Sequence, residues 1–215
     1  MRDVFIVLGY ADMQWKNEIV AFLSQYGINA KILQQYPNKG MTIIEKLENV
    51  VQNIDYAIFL YSPLDKFPTK KGTVLFRARQ NVVLETGFFT AALSRQKVAY
   101  MLKENKSKPI DEPSDIQGIL KIKYKKKSND WKIQLLTELN SIFHLNLNKA
   151  IVGLTFAKEI TILQSQFGTG LFSRNDVLKV LKKYSVYRVT NMLRDLEQSK
   201  ILSKQKVGNN NLYHF

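Results

Sequence analysis

Cysteine is absent from the 215 residues and histidine occurs only twice, at His144 and His214. Disulfides and cysteine-ligated metal sites are therefore excluded, and two histidines cannot build a multi-histidine site, so no metal is expected. No apolar run approaches the ~20 residues of a membrane-spanning helix. The first nine residues are too short for a signal peptide and include Asp3; they read as a strand, and the expected location is cytoplasmic, without membrane association. A glycine-rich phosphate loop is also missing, since Gly9 stands alone with neither GxGxxG nor GxxxxGK around it. Acidic residues are scarce, 18 against 32 Lys and Arg, which leaves a net charge of +14. Residues 151–215 hold ten basic against four acidic residues, and residues 1–150 hold 22 against 14. Such an excess attracts polyanions, nucleic acid or nucleotides among them, or else reflects a lysine-enriched, solvated surface.

What is present is an alternation of strands and helices. Asp3-Val-Phe-Ile-Val-Leu8 is an apolar run ended by Gly9, as a buried parallel strand reads. Residues 13–26 place Trp15, Ile19, Val20, Phe22 and Leu23 at helical spacing before a stop at Gly27. A second strand follows at 29–33. After a polar loop, Thr42 caps a helix over 43–53, with Glu45 in the capping-box position. Tyr56-Ala-Ile-Phe-Leu-Tyr61 is a third buried strand. A loop spans 62–73, a helix 77–93, a strand 97–102 and a Lys-rich loop 103–112. Residues 118–124 alternate as an edge strand does, and a helix closes the series at 131–142. The pattern predicts an α/β domain over 1–147, a mostly parallel sheet with helices on both faces.

The remainder, 153–215, has a different order. A helix at 153–166, a break at 167–170, helices capped by Ser173 (174–183) and Ser185 (186–199), a strand at 200–207, a turn at 208–211 and a final strand spell a winged helix-turn-helix. The joint is expected at 143–152.

In an open α/β sheet, ligands bind outside the carboxyl ends of the strands. Candidate binding residues on that rim are Gly9, Tyr10, Asp12, Ser62, Arg77 and Arg79, gripping a nucleotide by side chains and helix N-termini. The segment Arg77-Ala-Arg-Gln-Asn-Val-Val-Leu-Glu-Thr-Gly-Phe-Phe89 is otherwise apolar yet carries Glu85. A carboxylate in an apolar helix packed on a sheet is expensive unless it is partnered. Spacing alone favours an ion pair with Arg77 or Arg79; the alternative is a carboxylate that positions a ribose and stabilises the oxocarbenium-like state of glycosidic cleavage.

Five blocks occur in order: Phe5-Ile-Val-Leu-Gly9, Gly40-Met-Thr-Ile-Ile-Glu-Lys46, Tyr56-Ala-Ile-Phe-Leu-Tyr-Ser-Pro63, Ala78-Arg-Gln-Asn-Val-Val-Leu-Glu-Thr-Gly87 and Pro113-Ser-Asp-Ile-Gln-Gly118. Together they resemble the bacterial TIR-like nucleotide-binding family, which includes the TIR effectors of cyclic-nucleotide-triggered antiphage systems (CBASS and Pycsar). The resemblance implies a flavodoxin-like TIR fold and an NAD+ glycohydrolase that releases nicotinamide and ADP-ribose, with NAD+ as substrate and no cofactor. It puts the catalytic glutamate at Glu85, the Arg-Gln-Asn pattern at Arg79, Gln80 and Asn81, and a further acidic residue at Asp115. It also implies a homo-oligomer in the active state. The chain departs from the family at Leu8 and Tyr10, where histidine is usual, at Gln35, at Leu64-Asp65 and at Thr86. Those departures leave room for a second reading, a nucleotide-binding, DNA-contacting regulator that does not turn over.

The resemblance does not reach the C-terminal part. There the helix over 186–199 would be the recognition helix, with Tyr187, Arg188, Thr190, Asn191 and Arg194 on its polar side and Lys204 and Lys206 in the wing. These are residue types that reach phosphates and base edges of DNA or RNA, although winged helices also serve protein contacts.

Overall fold

A computed structural model describes residues 2–69, 74–103, 105, 107–108, 110–116, 118–125 and 128–215, apart from the side chains of Arg2 and Asp115. Two compact units divide the chain, Met1–Leu135 and Leu136–Phe215.

The first unit is built on β1 (Arg2–Val7) and β3 (Tyr56–Tyr61). All six residues of β3 are buried, and Val4, Phe5, Ile6 and Val7 of β1 are at most 1% exposed. A strand covered on both faces reads as a continuous apolar run, as both of these do. Around them lie β2 (Ile28–Lys31), β6 (Val98–Lys103) and β7 (Ile122–Tyr124), in the order β2-β1-β3-β6-β7 with every pairing parallel. Counted along this sheet alone, the order is the flavodoxin-like 2-1-3-4-5, and the connections reverse direction between β1 and β3. A crevice at their carboxyl ends follows from that reversal.

Alternation along the strands serves two helical layers. On one face Phe5, Val7, Ala57, Phe59, Val98 and Tyr100 pack with Leu47 and Val50 of α2 (Ile43–Val51) and with Val82 and Phe89 of α3 (Gln80–Leu93). On the other, α1 (Met13–Ser24) and the start of α4 (Asp130–Phe143) form an aromatic layer, with Trp15 4.5 Å from Tyr124 and Phe22 5.3 Å from Trp131 between ring centroids. α1 ends before Gly27, whose φ of +69° only glycine adopts without strain. α2 starts as expected: Thr42 Oγ1 accepts from the Glu45 amide at 3.3 Å, and the Glu45 carboxylate accepts from the Thr42 amide at 2.7 Å.

Between β3 and α3 the structure departs from expectation. The stretch from the expected loop at 62–73 to Arg77, where the helix was expected to start, contains a hairpin of β4 (Asp65–Pro68) and β5 (Val74–Arg77), paired antiparallel with Asp65 opposite Arg77 and Phe67 opposite Leu75. Val74-Leu-Phe is claimed by this ladder, as apolar and aromatic residues favour. Arg79, with ψ +145°, is the extended residue before α3, so the helix begins at Gln80 and not near Arg77. Residues 70–73 of the expected loop lie outside the described residues. β7 is shorter than the expected 118–124 strand: after a 3-10 turn at Ser114–Ile116, the Ile119 amide donates to the Ile116 carbonyl at 3.1 Å, and the ladder begins only at Ile122.

In the second unit, α5 (Asn148–Thr155) and α6 (Ala157–Phe167) replace the single helix expected at 153–166, with the break at Phe156. Then come β8 (Phe172–Ser173), α7 (Arg174–Val180), α8 (Val186–Gln198), β9 (Ser203–Val207) and β10 (Asn210–His214). The strands form an antiparallel sheet in the order β8-β10-β9, which puts Asn211 opposite Lys206. Two-residue β8 is too short to show alternation in a sequence. Leu163, Phe172, Val177, Val189, Met192, Leu193 and Leu196 make this unit's own core.

Thr42→Ala removes the hydroxyl half of the capping box, leaving the backbone amide at that position donated to Glu45, and should cost about 1 kcal/mol of stability, measurable as a lowered urea midpoint at unchanged slope.

Candidate functional site

Glu85 lies in the stripe of α3 that faces the sheet, with Val82, Thr86 and Phe89, and is 7% exposed. Its one described polar partner is the side chain of Asn81, a turn earlier on the same helix. Burial pushes the carboxyl up to about 7, and the Asn81 hydrogen bond only partly opposes it. Neither arginine pairs with it. Arg77 Nε lies 3.2 Å from Asp111, with its guanidinium 3.5 Å from the centre of the Phe67 ring; Arg79 Nε lies 3.9 Å from Asp65. The ion pair that spacing favoured is absent because the β4–β5 hairpin draws both arginines away.

The carboxylate lines a cavity of about 230 Å³ with Asn81, Gln34, Leu8, Leu33, Ile6 and Ile43. Four apolar side chains and three polar ones share the walls, and apolar wall beside a few convergent polar groups is the usual make-up of a ligand site. The volume is below the ~300 Å³ at which sites for drug-sized ligands begin, so it holds part of a dinucleotide and not the whole. Gln34 and Leu33 were not singled out in the sequence; their place after β2, on the carboxyl rim, was the available signal. Gln35, the family departure, instead turns back to accept from the Ile32 amide at 2.9 Å. Leu8, another departure, does line the cavity.

The other rim candidates disperse. Gly9 has an ordinary φ of −75°, but a Cβ on it would meet Leu64 Cδ1 at 2.6 Å and Arg79 Cδ at 3.3 Å, so its role is to let those side chains close over the backbone. Tyr10 is 80% exposed. Asp12 is 1% exposed, accepts from Ser62 Oγ at 2.7 Å and sits 3.6 Å from Lys103 Nζ. Burial raises its carboxyl, opposed by Ser62 and then Lys103. Asp12 and Ser62 therefore tie the ends of β1, β3 and β6 together. Arg77 lines a second cavity of about 380 Å³, with Tyr61, Gln80 and Asp111. The Asp115 side chain lies outside the described residues. No cluster of three or more His, Cys, Asp or Glu suited to a metal occurs among the described residues.

Residues 3–126 match the family described as "CAP12/Pycsar effector protein, TIR domain". The chain belongs to that family. Two relatives are similar to part of this chain: the uncharacterized protein YuaY of Escherichia coli K12, 35% identical over 139 residues, and protein tirC of Dictyostelium discoideum, 35% identical over 128 residues. The matches cover 64% and 56% of this chain but only 44% and 63% of those proteins.

Beyond the TIR domain, the expected nucleic-acid residues are largely committed within their own unit. Arg188 lies 3.9 Å from Glu159 and 4.1 Å from the centre of the Tyr184 ring. Arg194 lies 3.6 Å from Asp195, and Lys204 2.8 Å from Glu197. Tyr187 is 78% exposed, Asn191 is half-buried, and Lys206 is exposed on the hairpin. No described helix is long and apolar enough to cross a membrane.

The raised Glu85 carboxyl has a consequence for stability. Its ordinary value is 4.5, so as pH rises the unfolded chain loses this proton first, while the fold keeps it until about 7. Stability contributed by the protonated group is complete below pH 4.5 and is lost as pH rises through 7, by roughly 3 kcal/mol in all. Glu85→Gln abolishes the titration. Urea unfolding should show it matching the parent near pH 4 and exceeding it by up to about 3 kcal/mol at pH 8; a constant difference across that range would overturn the buried-proton account.

Proposed function

We propose that this TIR domain is an NAD+ glycohydrolase and that the chain acts as an antiphage effector, with Glu85 as the catalytic carboxylate. The observation that carries the proposal is a buried Glu85 with no cation beside it, held by Asn81 against a cavity of mixed polar and apolar lining on the carboxyl rim of the sheet. The nicotinamide end of NAD+ is a pyridinium cation joined to ribose through C1′. In the ionised form, Glu85 stabilises the positive charge that grows on C1′ as the C1′–N bond breaks; the bonding pair goes to the ring nitrogen and neutralises nicotinamide. Water adds to C1′ and releases a proton, giving ADP-ribose. Asn81 orients the carboxylate, and Leu8, Leu33 and Ile43 keep bulk water from it.

The cavity accommodates the nicotinamide-ribose end alone, and the rest of the dinucleotide extends across the rim, where a neighbouring copy in an active assembly completes the site. The C-terminal unit, with its helices followed by a hairpin, acts as a winged-helix-like element that senses a ligand or nucleic acid and controls that assembly.

The test is nicotinamide release from NAD+ by the purified protein, with and without DNA, RNA or cyclic nucleotides, beside Glu85→Ala. Release should fall by at least about a hundredfold in the variant. In the parent, kcat/KM should rise with pH to a plateau above about 7, as Glu85 ionises. Equal release by the variant, or none from the parent under any activator, would defeat the proposal.

A further inference from the structure

In the C-terminal unit, a cavity of about 350 Å³ opens between the start of α7, α8 and the β9–β10 turn, lined by Arg174, Asn175, Thr190, Asn210, Asn211 and Tyr213 among others. None of its lining residues is acidic, whereas Asp111 and Glu112 line the second cavity of the TIR domain. The carboxylate of Asp176, on α7, is turned back to accept from the Ser173 amide at 2.9 Å and the Ser173 hydroxyl at 2.7 Å. Arg174 is exposed and makes no ion pair among the described residues. Lys206 stands across from Asn211 in the hairpin register and makes none either. Arg188, Arg194 and Lys204 differ in this respect, since a carboxylate holds each of them.

We infer that this cavity is a binding site for a nucleoside phosphate unit, held at its phosphate by Arg174 and at its base and sugar by the asparagine amides and Thr190. The guanidinium is a rigid fork suited to phosphate oxygens. Asparagine amides donate and accept at once, the capacity that base edges require, and Tyr213 supplies aromatic wall. The volume falls within the range of small-ligand sites and suits one nucleotide. The same chemistry is available from a free nucleotide or from one residue of a nucleic-acid strand. The inference does not rest on the chemistry at Glu85. It moves the recognition centre of this unit from Arg188 and Arg194 to Arg174 and the hairpin turn.

The test uses the full chain with three probes: inorganic phosphate, AMP and a short fluorescein-labelled DNA single strand. Binding is followed by calorimetry or anisotropy, and its place by the side-chain amide NMR signals of Asn175, Asn210 and Asn211. Arg174→Ala and Asn210→Ala, both at exposed positions, should weaken binding roughly tenfold, while Arg188→Ala and Arg194→Ala change it less than about twofold. AMP binding as tightly as the strand assigns the site to a free nucleotide; salt-dependent binding of the strand alone assigns it to nucleic acid. The inference is overturned if neither AMP nor the strand shifts those amides, if inorganic phosphate binds as tightly as AMP, or if Arg188→Ala and not Arg174→Ala abolishes binding.

Discussion

A carboxylate buried without a counter-charge is the constraint on which the site depends. A fold tolerates such a group only where packing leaves the side chain no alternative. Val82 and Phe89 flank Glu85 on α3, both at most 1% exposed, and they fix the helix on a sheet whose central strands are fully buried. On that face Glu85 is only 7% exposed, and the loss of water around its carboxyl raises its proton affinity. The energy comes from the sheet, and the chemistry from where the sheet holds α3.

The β4–β5 hairpin decides the charge state of that site. Asp65 and Phe67, both on β4, receive Arg79 and Arg77, an ion pair in one case and a ring face in the other. Contacts between groups as exposed as these are each worth at most about 1 kcal/mol, so their effect lies in geometry more than in stability. They hold two guanidinium groups away from Glu85, although the sequence places both close to it. Had either arginine reached the carboxylate, the cavity would hold a neutralised pair with little attraction for a cation.

Sequence legibility followed the same division. β1 and β3, the capping box of α2 and the stop at Gly27 were visible because each rests on local pattern: continuous apolar runs, a Thr–Glu spacing of three, a residue tolerant of positive φ. Glu85 stood out because a charge in an apolar helix contradicts its surroundings. Its partner was not legible, since distance along the chain does not say which carboxylate an arginine meets once an intervening hairpin forms. Nor was that hairpin, because its strands are four residues long and partly exposed, too short for alternation to mark them. Of the cavity walls, Leu33 read as the end of a strand and Gln34 as loop, whereas β2 stops at Lys31 and both residues lie in a 3-10 turn. In the C-terminal unit, net charge was legible and its placement was not: Glu159, Asp195 and Glu197 offset cations that composition counts as free.

Leu8 joins these points. It lines the Glu85 cavity at a position where the resembling family usually has histidine. An imidazolium in that wall would favour the ionised carboxylate at any pH below its own titration. Leucine supplies no charge and adds to the desolvation that holds Glu85 near 7. Under the proposed function, the missing cation then arrives with the substrate: a pyridinium entering the cavity lowers the proton affinity of Glu85 and is held most tightly by the form that catalyses. Cleavage turns the pyridinium into neutral nicotinamide, so the same step that uses the carboxylate removes the attraction that held the ring. Substrate capture and product release would thus both follow from a single uncompensated charge, and an arginine or histidine placed beside Glu85 would weaken both.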